Sequence, residues 1–558
     1  MHRSLALLIP LLPLALASAM PRAHAQDALA APAGYALRGT VVNSVTNQPV
    51  ARALVSLAQD QAMLTDSNGQ FAFDNLGPGS YSLSVTKPGY QGRGGAMGGM
   101  IRGNSFSRLR PAPPTSIQVG PDMPSVTLSI TPLATIAGHV TLSTADPDDG
   151  IRIQAFDRRM ENGHPHWTIA SEARTRSDGS FRIANLEPGS YRLSTMASLD
   201  RPGLALNAHG PIWGYPSLYY PGTTDISGAG ILTVGAGQQA EADIALVRQQ
   251  FFPVTGVVHS SSETPANFEI LDSAGRQTGL FARFDRQDGT VHAAVPNGTW
   301  TIEAHVYGQS AEWGSTTLQV NGAAASFAMS LQPVPHIPVI IRRDLSDSAT
   351  SPPAGPGPGM NLEITNADEM RSEGGGGMAH NENSGSPEWQ LNVNEPGRYW
   401  VKAEAWPPTY VSSVTSGGVD LGSNPLVIVP GSTPPAVEVT LRDDGGTITG
   451  IIDSQTPGAP NPNAAGESPQ VWIYAIPLFS TAAALRNVMP NSDGHFSFYA
   501  MAPGSYRVVA CDAQQDIDFH SAEGLAAWAG KGQTVTVDPG GTASVELDVV
   551  HIAPEGAQ

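Results

Sequence analysis

Three stretches of this chain are near-copies of one another. Ser67-Asn68-Gly69-Gln70-Phe71 leads to Leu76-Gly77-Pro78-Gly79-Ser80-Tyr81, Ser177-Asp178-Gly179-Ser180-Phe181 leads to Leu186-Glu187-Pro188-Gly189-Ser190-Tyr191, and Ser492-Asp493-Gly494-His495-Phe496 leads to Met501-Ala502-Pro503-Gly504-Ser505-Tyr506. In each, 10 residues separate the first turn glycine from the second, so two turns bracket one short strand of fixed length. Asn-Gly and Asp-Gly supply the positive φ of tight hairpins, and Pro-Gly makes a second turn of another kind. Phe71 and Phe73 then share one face of a strand, and Tyr81, Leu83 and Val85 share one face of the next, as a half-buried sheet requires.

Weaker versions of the pattern occur twice more. Asp288-Gly289 precedes Pro296-Asn297-Gly298-Thr299-Trp300, and Trp389-Gln390-Leu391 precedes Glu395-Pro396-Gly397-Arg398-Tyr399. An aromatic follows the second turn in all five units: Tyr81, Tyr191, Trp300, Tyr399 and Tyr506. Together with Phe71, Phe181 and Phe496, these rings read as packing anchors of the tyrosine-corner kind. The fold class expected is all-β, a tandem array of about five small antiparallel β-sandwiches of prealbumin-like or immunoglobulin-like type. Charged residues are only 14% of the chain against 60 Gly and 47 Pro, which suits short strands and many turns rather than solvated helices.

Unit boundaries are expected at 26–133, 134–250, 251–332, 333–442 and 443–558. The linkers are short, which favours a semi-rigid rod of neighbouring sandwiches. Two stretches, 88–114 and 344–387, break the rhythm and read as long surface loops. The first is rich in glycine and carries Arg93, Arg102, Arg108 and Arg110 without an acid.

Residues 1–25 have the form of a secretory signal, with Arg3, an apolar run broken by Pro10 and Pro13, and Ala23-His24-Ala25 as the cleavage site. No later run is apolar for long enough to cross a membrane as a helix. The expected location is therefore exported: periplasm, cell surface or secreted. Removing the signal leaves 28 basic against 49 acidic residues, a formal charge of −21. Such a surface repels polyanions, so nucleic acid is excluded as a partner. With Cys511 as the single cysteine, no intrachain disulfide is available, and stability must come from packing.

The opening Gly-x-Val strand, the Pro-Val that follows it, Thr65-Asp66-Ser67-Asn68-Gly69-Gln70-Phe71 and Leu76-Gly77-Pro78-Gly79-Ser80-Tyr81 resemble the carboxypeptidase regulatory-like domain. Leu218-Tyr219-Tyr220-Pro221-Gly222-Thr223 and Ala236-Gly237-Gln238 resemble exported bacterial members with several repeats. The resemblance implies small transthyretin-like, starch-binding-like sandwiches. It covers units one, two and five well, and three and four in outline.

Such domains accompany zinc carboxypeptidases, but the β-repeats here leave no room for a catalytic α/β domain. His520-Ser521-Ala522-Glu523 matches the short His-x-x-Glu pattern that zinc hydrolysis uses. Two letters in a chain with 14 histidines carry little information, so a zinc carboxypeptidase-type hydrolase is the weakest of three readings. His164-Pro165-His166, read as part of a polar loop, and Asp146, Asp148 and Asp149 are similarly thin as metal ligands. Neither a cofactor nor a metal is expected. The absence of lysine from units two and three disfavours a self-formed Lys–Asn crosslink.

The leading functional reading is a non-catalytic array that binds carbohydrate or another envelope polymer through exposed aromatics. Trp213, Tyr215, Tyr219 and Tyr220 form one cluster interrupted by Gly and Pro; Trp400, Trp406 and Tyr410 form a second. Flat rings hold sugar faces with little loss of conformational entropy. The competing reading buries these rings against a neighbouring sandwich, and the alternative function is then a structural or protein-interaction rod of the cell envelope.

Overall fold

The computed structural model describes residues 34–552 except 58–60, 95–99, 103–104, 108–111, 113, 122, 144–149, 201–209, 263, 287–288, 309–310, 347–358, 372–375, 381–388, 454–470 and 492. The expected signal segment 1–25, Arg108, Arg110 and the acidic residues Asp146, Asp148 and Asp149 lie outside the described residues.

One plan is built five times. The opening strands are Tyr35–Asn43, Ala134–Leu142, Gln249–His259, Ile337–Asp344 and Gly446–Ile452. Each pairs antiparallel with the strand just before the Pro-Gly-type turn, and parallel with a closing strand at the end of its unit. The anchor strands, Gly79–Thr86, Gly189–Thr195, Gly298–Val306, Gly397–Ala405 and Gly504–Cys511, form the middle of the facing sheet between two antiparallel neighbours. The parallel ladder was not legible from short hairpin signals. A parallel pair needs a long crossover, and here the whole facing sheet is that crossover.

Alternation fills the space between the sheets. Phe71, Phe73, Leu83 and Val85 are all buried in the first core, and equivalent cores recur along the chain. Each anchor aromatic donates a hydrogen bond to the carbonyl four residues upstream. Tyr81 reaches Gly77 at 3.2 Å, Tyr191 reaches Glu187 at 2.6 Å, Tyr399 reaches Glu395 at 2.7 Å and Tyr506 reaches Ala502 at 2.8 Å, while Trp300 uses its indole N–H on Pro296 at 2.9 Å. The bond ties the turn to the strand it launches and pairs a polar atom that burial would otherwise leave unmet.

Glycine is required at two points of the plan. In the hairpin turn, Gly179 has φ +81°, and an added Cβ would lie 2.7 Å from the carbonyl oxygen of Val140, whose own N–H bonds the Gly179 carbonyl. In the opening strand, Gly450 sits directly opposite Phe496, and an added Cβ would lie 2.3 Å from its ring. Gly450→Ala is therefore expected to destabilise the fifth sandwich by about 1–3 kcal/mol through overpacking. Denaturant titration checks this, and a change below about 0.5 kcal/mol would mean the ring yields freely.

The two irregular stretches are not simply loops. Within 88–114, Tyr90–Gln91 joins the first unit's sheet, and the hairpin Met100–Arg102/Ser105–Ser107 pairs with His164–Arg174 of the second unit. Arg93 donates to the Ser129 carbonyl and the Thr115 hydroxyl. Within 344–387, Met360–Asn366 is a core strand with Met360, Leu362 and Ile364 buried. Glycine and proline on both sides hid its alternation. His164-Pro165-His166 is likewise strand, the start of His164–Arg174, rather than a polar loop.

Strand Arg152–Glu161 and strand His164–Arg174 make a long hairpin in the second unit. Its tip leaves its own sandwich and reaches two others. Arg158 forms a two-point ion pair with Glu369 at 3.0 and 3.3 Å, the Trp167 amide donates to the Glu369 carbonyl at 2.8 Å, and Asn162 donates to Thr365 at 3.1 Å, all in the fourth unit. At the tip the His164 ring lies flat between Trp400 of the fourth unit and His520 of the fifth, with centroids 3.9 and 4.2 Å away. A rod of sandwiches touching only their neighbours is therefore not what forms: the second unit also meets the fourth and the fifth.

Candidate functional site

The anchor strand of the third unit explains how a polar site arises between sandwiches. Trp300, Ile302, Ala304 and Val306 point into the core, so Thr301, Glu303, His305 and Tyr307 fall on the outer face. In an isolated sandwich that face meets water. Here Glu303 and His305 retain only 2% and 4% exposure, because Arg371 and Glu395 of the fourth unit, with Trp313 of the third, close over them.

Register places a third acid beside them. Strand Asn267–Leu271 pairs with the anchor strand so that Glu269 stands directly opposite Glu303. From the fourth unit, Arg371 donates to Glu303 and lies 3.4 Å from Glu395, whose side chain is also buried. His305 Nε2 is 3.6 Å from Glu303 and 4.0 Å from Glu395 and makes no hydrogen bond. Its ring is parallel to that of Tyr307 and edge-on to Trp313. Among the described residues, Glu269, Glu303 and His305 form a group able to hold a metal, with one donor atom from each lying within 4.8 Å of the others.

A cavity of about 460 Å³ opens beside this group, lined by Phe156 and Trp167 of the second unit, Arg276 and Tyr307 of the third, and Arg371 and Glu395 of the fourth, among others. Burial pushes the Glu395 carboxyl up to about 7 against the pull of Arg371. Burial also opposes ionisation of Glu303, but the His305 ring and the Arg371 charge outweigh it and hold that carboxyl below its usual range. Arg276, itself buried, is held by Asp272 and Ser194 and lies 4.6 Å over the Tyr219 ring.

The aromatics singled out for carbohydrate are mostly inside. Tyr215, Tyr219 and Tyr410 are 3%, 1% and 7% exposed, and burial pushes the Tyr219 hydroxyl up to about 12. Tyr410 donates to Asp444 at the start of the fifth unit. Tyr220 is half-buried against the second core, and Trp400 is stacked on His164. Trp213 and Trp406 remain exposed, at 37% and 53%. Trp213 sits on strand Ile212–Tyr215, which pairs with the third unit's opening strand, and Arg248 covers one face of its ring.

Of the other motif residues, His520 belongs to the ring stack, Ser521 caps the short helix Ala522–Ala527, and Glu523 is exposed on that helix. His166 is 1% exposed with neither ring nitrogen hydrogen-bonded. Cys511 lies in a small second core of the fifth unit with Phe519 and Trp528, and burial pushes its thiol up to about 12, which leaves it unreactive. The Glu269, Glu303 and His305 group escaped sequence reading. Glu-x-His on alternate positions of an anchor strand was its one local sign.

Residues 36–97 match the model of the carboxypeptidase regulatory-like domain. No curated protein matches the chain. Solved structures similar to it include the Bacillus anthracis TIE protein, 11% identical over 74% of this chain and 73% of that one with a TM-score of 0.15. The major pilin subunit BcpA of Bacillus cereus is 11% identical over 54% and 99%, with a TM-score of 0.15. The minor pilin GBS52 of Streptococcus agalactiae is 10% identical over 36% and 97%, with a TM-score of 0.16. Overlays this loose have no bearing on how this chain assembles. No helix among the described residues is long and apolar enough to cross a membrane.

Proposed function

We propose that this chain, whose first sandwich matches the carboxypeptidase regulatory-like domain, is a non-catalytic exported scaffold of the cell envelope that works through protein contacts. The observation that carries this reading is the hairpin Arg152–Arg174, which fastens the second sandwich to the fourth and fifth. Such bracing fixes the relative positions of distant surfaces, as a scaffold requires. It also occupies the rings that a sugar platform would need, since Trp400 serves the stack and Tyr410 the joint to the fifth unit.

Protein contacts have a ready geometry in terminal strands that carry exposed apolar residues. Strand Gln61–Leu64 ends its sheet with Leu64 at 58% exposure, and strand Leu426–Ile428 ends another with Val427 at 53%. An extended segment of a partner adds to such an edge through its backbone.

A glycan array and insoluble-polysaccharide retention, run beside a photo-crosslinking residue at Val427, test the proposal. The expected result is no glycan retention and a defined protein adduct in the envelope. Glycan retention that disappears in Trp213→Ala or Trp406→Ala would overturn it in favour of carbohydrate binding.

A further inference from the structure

We propose that Glu269, Glu303 and His305 bind one divalent transition-metal ion of the Zn²⁺ type at the floor of the cleft between the second, third and fourth sandwiches, with Glu395 closing the shell. The backbone alone brings the three together. Positions 303 and 305 alternate on one strand and position 269 faces 303 across the ladder, so their side chains project from one face of the sheet.

Two independent features call for a cation there. The first is charge. Like charges directly opposed on a ladder repel, as Glu269 and Glu303 are here, and Glu395 adds a third carboxyl group from the neighbouring sandwich as a further oxygen donor. Arg371 brings a single positive charge to Glu303 and Glu395, and Arg276 is engaged by Asp272.

The second feature is the histidine. His305 is 96% buried by its 4% exposure, and its Nε2 is without a hydrogen bond while aimed at the carboxylates. At 3.6 Å from Glu303 the buried nitrogen falls just outside hydrogen-bond reach, a disfavoured state for a buried polar atom, and a metal ion would satisfy its lone pair. Imidazole together with carboxylates suits zinc and its first-row neighbours, whereas calcium and magnesium prefer oxygen donors throughout. Tetrahedral zinc holds its donors roughly 3.3 Å apart, so the group must draw in from its present spread. Glu269 is half-buried at the cleft wall and is the least enclosed of the three. The adjoining cavity of about 460 Å³ is the entry path.

Calorimetric titration of the chelator-treated full chain with ZnCl₂, and separately with CaCl₂, tests the site, with melting temperature as a second readout. The expected result is one Zn²⁺ per chain, a higher Tm on binding, and calcium binding much weaker. Glu269→Gln and His305→Gln are each expected to weaken zinc more than about tenfold, while the surface variant His551→Ala leaves it unchanged. Should His305→Gln fail to fold, Glu269→Gln, altered at a half-buried position, decides the matter. No zinc uptake, uptake undiminished in Glu269→Gln, or tighter binding of calcium than of zinc would each overturn the assignment. None of these outcomes depends on whether the edge strands meet a protein partner.

Discussion

Tyr191→Ala is expected to destabilise the second sandwich by roughly 3–5 kcal/mol, the loss typical of truncating a buried aromatic. Tyr191 is 2% exposed, packs in the second core and closes its turn through the Glu187 carbonyl at 2.6 Å. Small domains hold only about 5–15 kcal/mol of net stability, so this one change removes a large part of it. Tyr191→Phe separates the two contributions. It keeps the ring and loses the hydrogen bond, and is expected to cost about 1–2 kcal/mol. Tyr81, half-buried with a longer bond of 3.2 Å, should tolerate alanine better than Tyr191 does. Chemical denaturation followed by domain-resolved hydrogen exchange measures all three. A loss below about 1 kcal/mol for Tyr191→Ala would show that the ring is not an anchor.

Acidification from pH 7.5 to 5 is expected to loosen the joint between the second, fourth and fifth sandwiches. Burial pulls His164 down to about 3, aided by His520 and opposed by Asp518. Burial likewise lowers His520, against Asp518, and lowers His166, against Glu161 and Glu369. Burial favours the neutral form of each ring in the folded joint, and each gains a proton more readily once released. The stability they contribute is therefore present above the unfolded histidine pKa of about 6.5 and is lost as pH falls below it. For His164 alone the loss at pH 5 is about 2 kcal/mol, and the other two act in the same direction. A melting curve at each pH reads the effect. His164→Phe, which keeps a flat ring between Trp400 and His520, should flatten the pH dependence; an unchanged slope in that variant would remove His164 from the explanation.

The sandwiches were legible because their signals are local. A turn glycine, a Pro-Gly corner, an aromatic and alternation of period two all fall within about 20 residues of one another. The braces were not, because they join residues far apart in sequence. Trp400 reads as a surface ring on its own strand and becomes a stacking partner only when His164 arrives from more than two hundred positions upstream. Met360–Asn366 was hidden by the glycine and proline around it, although its own alternation is regular. The cleft is the clearest case. Glu303 and His305 sit where alternation predicts a solvated face, and only the residues around Arg371 and Glu395 turn that face into an interior. A polar outward face is ambiguous in sequence whenever a neighbouring domain is free to cover it.

Hydrogen exchange at the Trp167 amide tests the bracing most directly. That N–H bonds the Glu369 carbonyl of another sandwich, so its protection reports the contact between units rather than the hairpin itself. Strong protection in the full chain is expected, falling towards the unprotected rate in an Arg158→Ala, Trp400→Ala double variant while neighbouring hairpin amides stay protected. Exchange at the unprotected rate in the full chain would mean that the second sandwich is not fastened to the fourth, and the scaffold reading would fall with it.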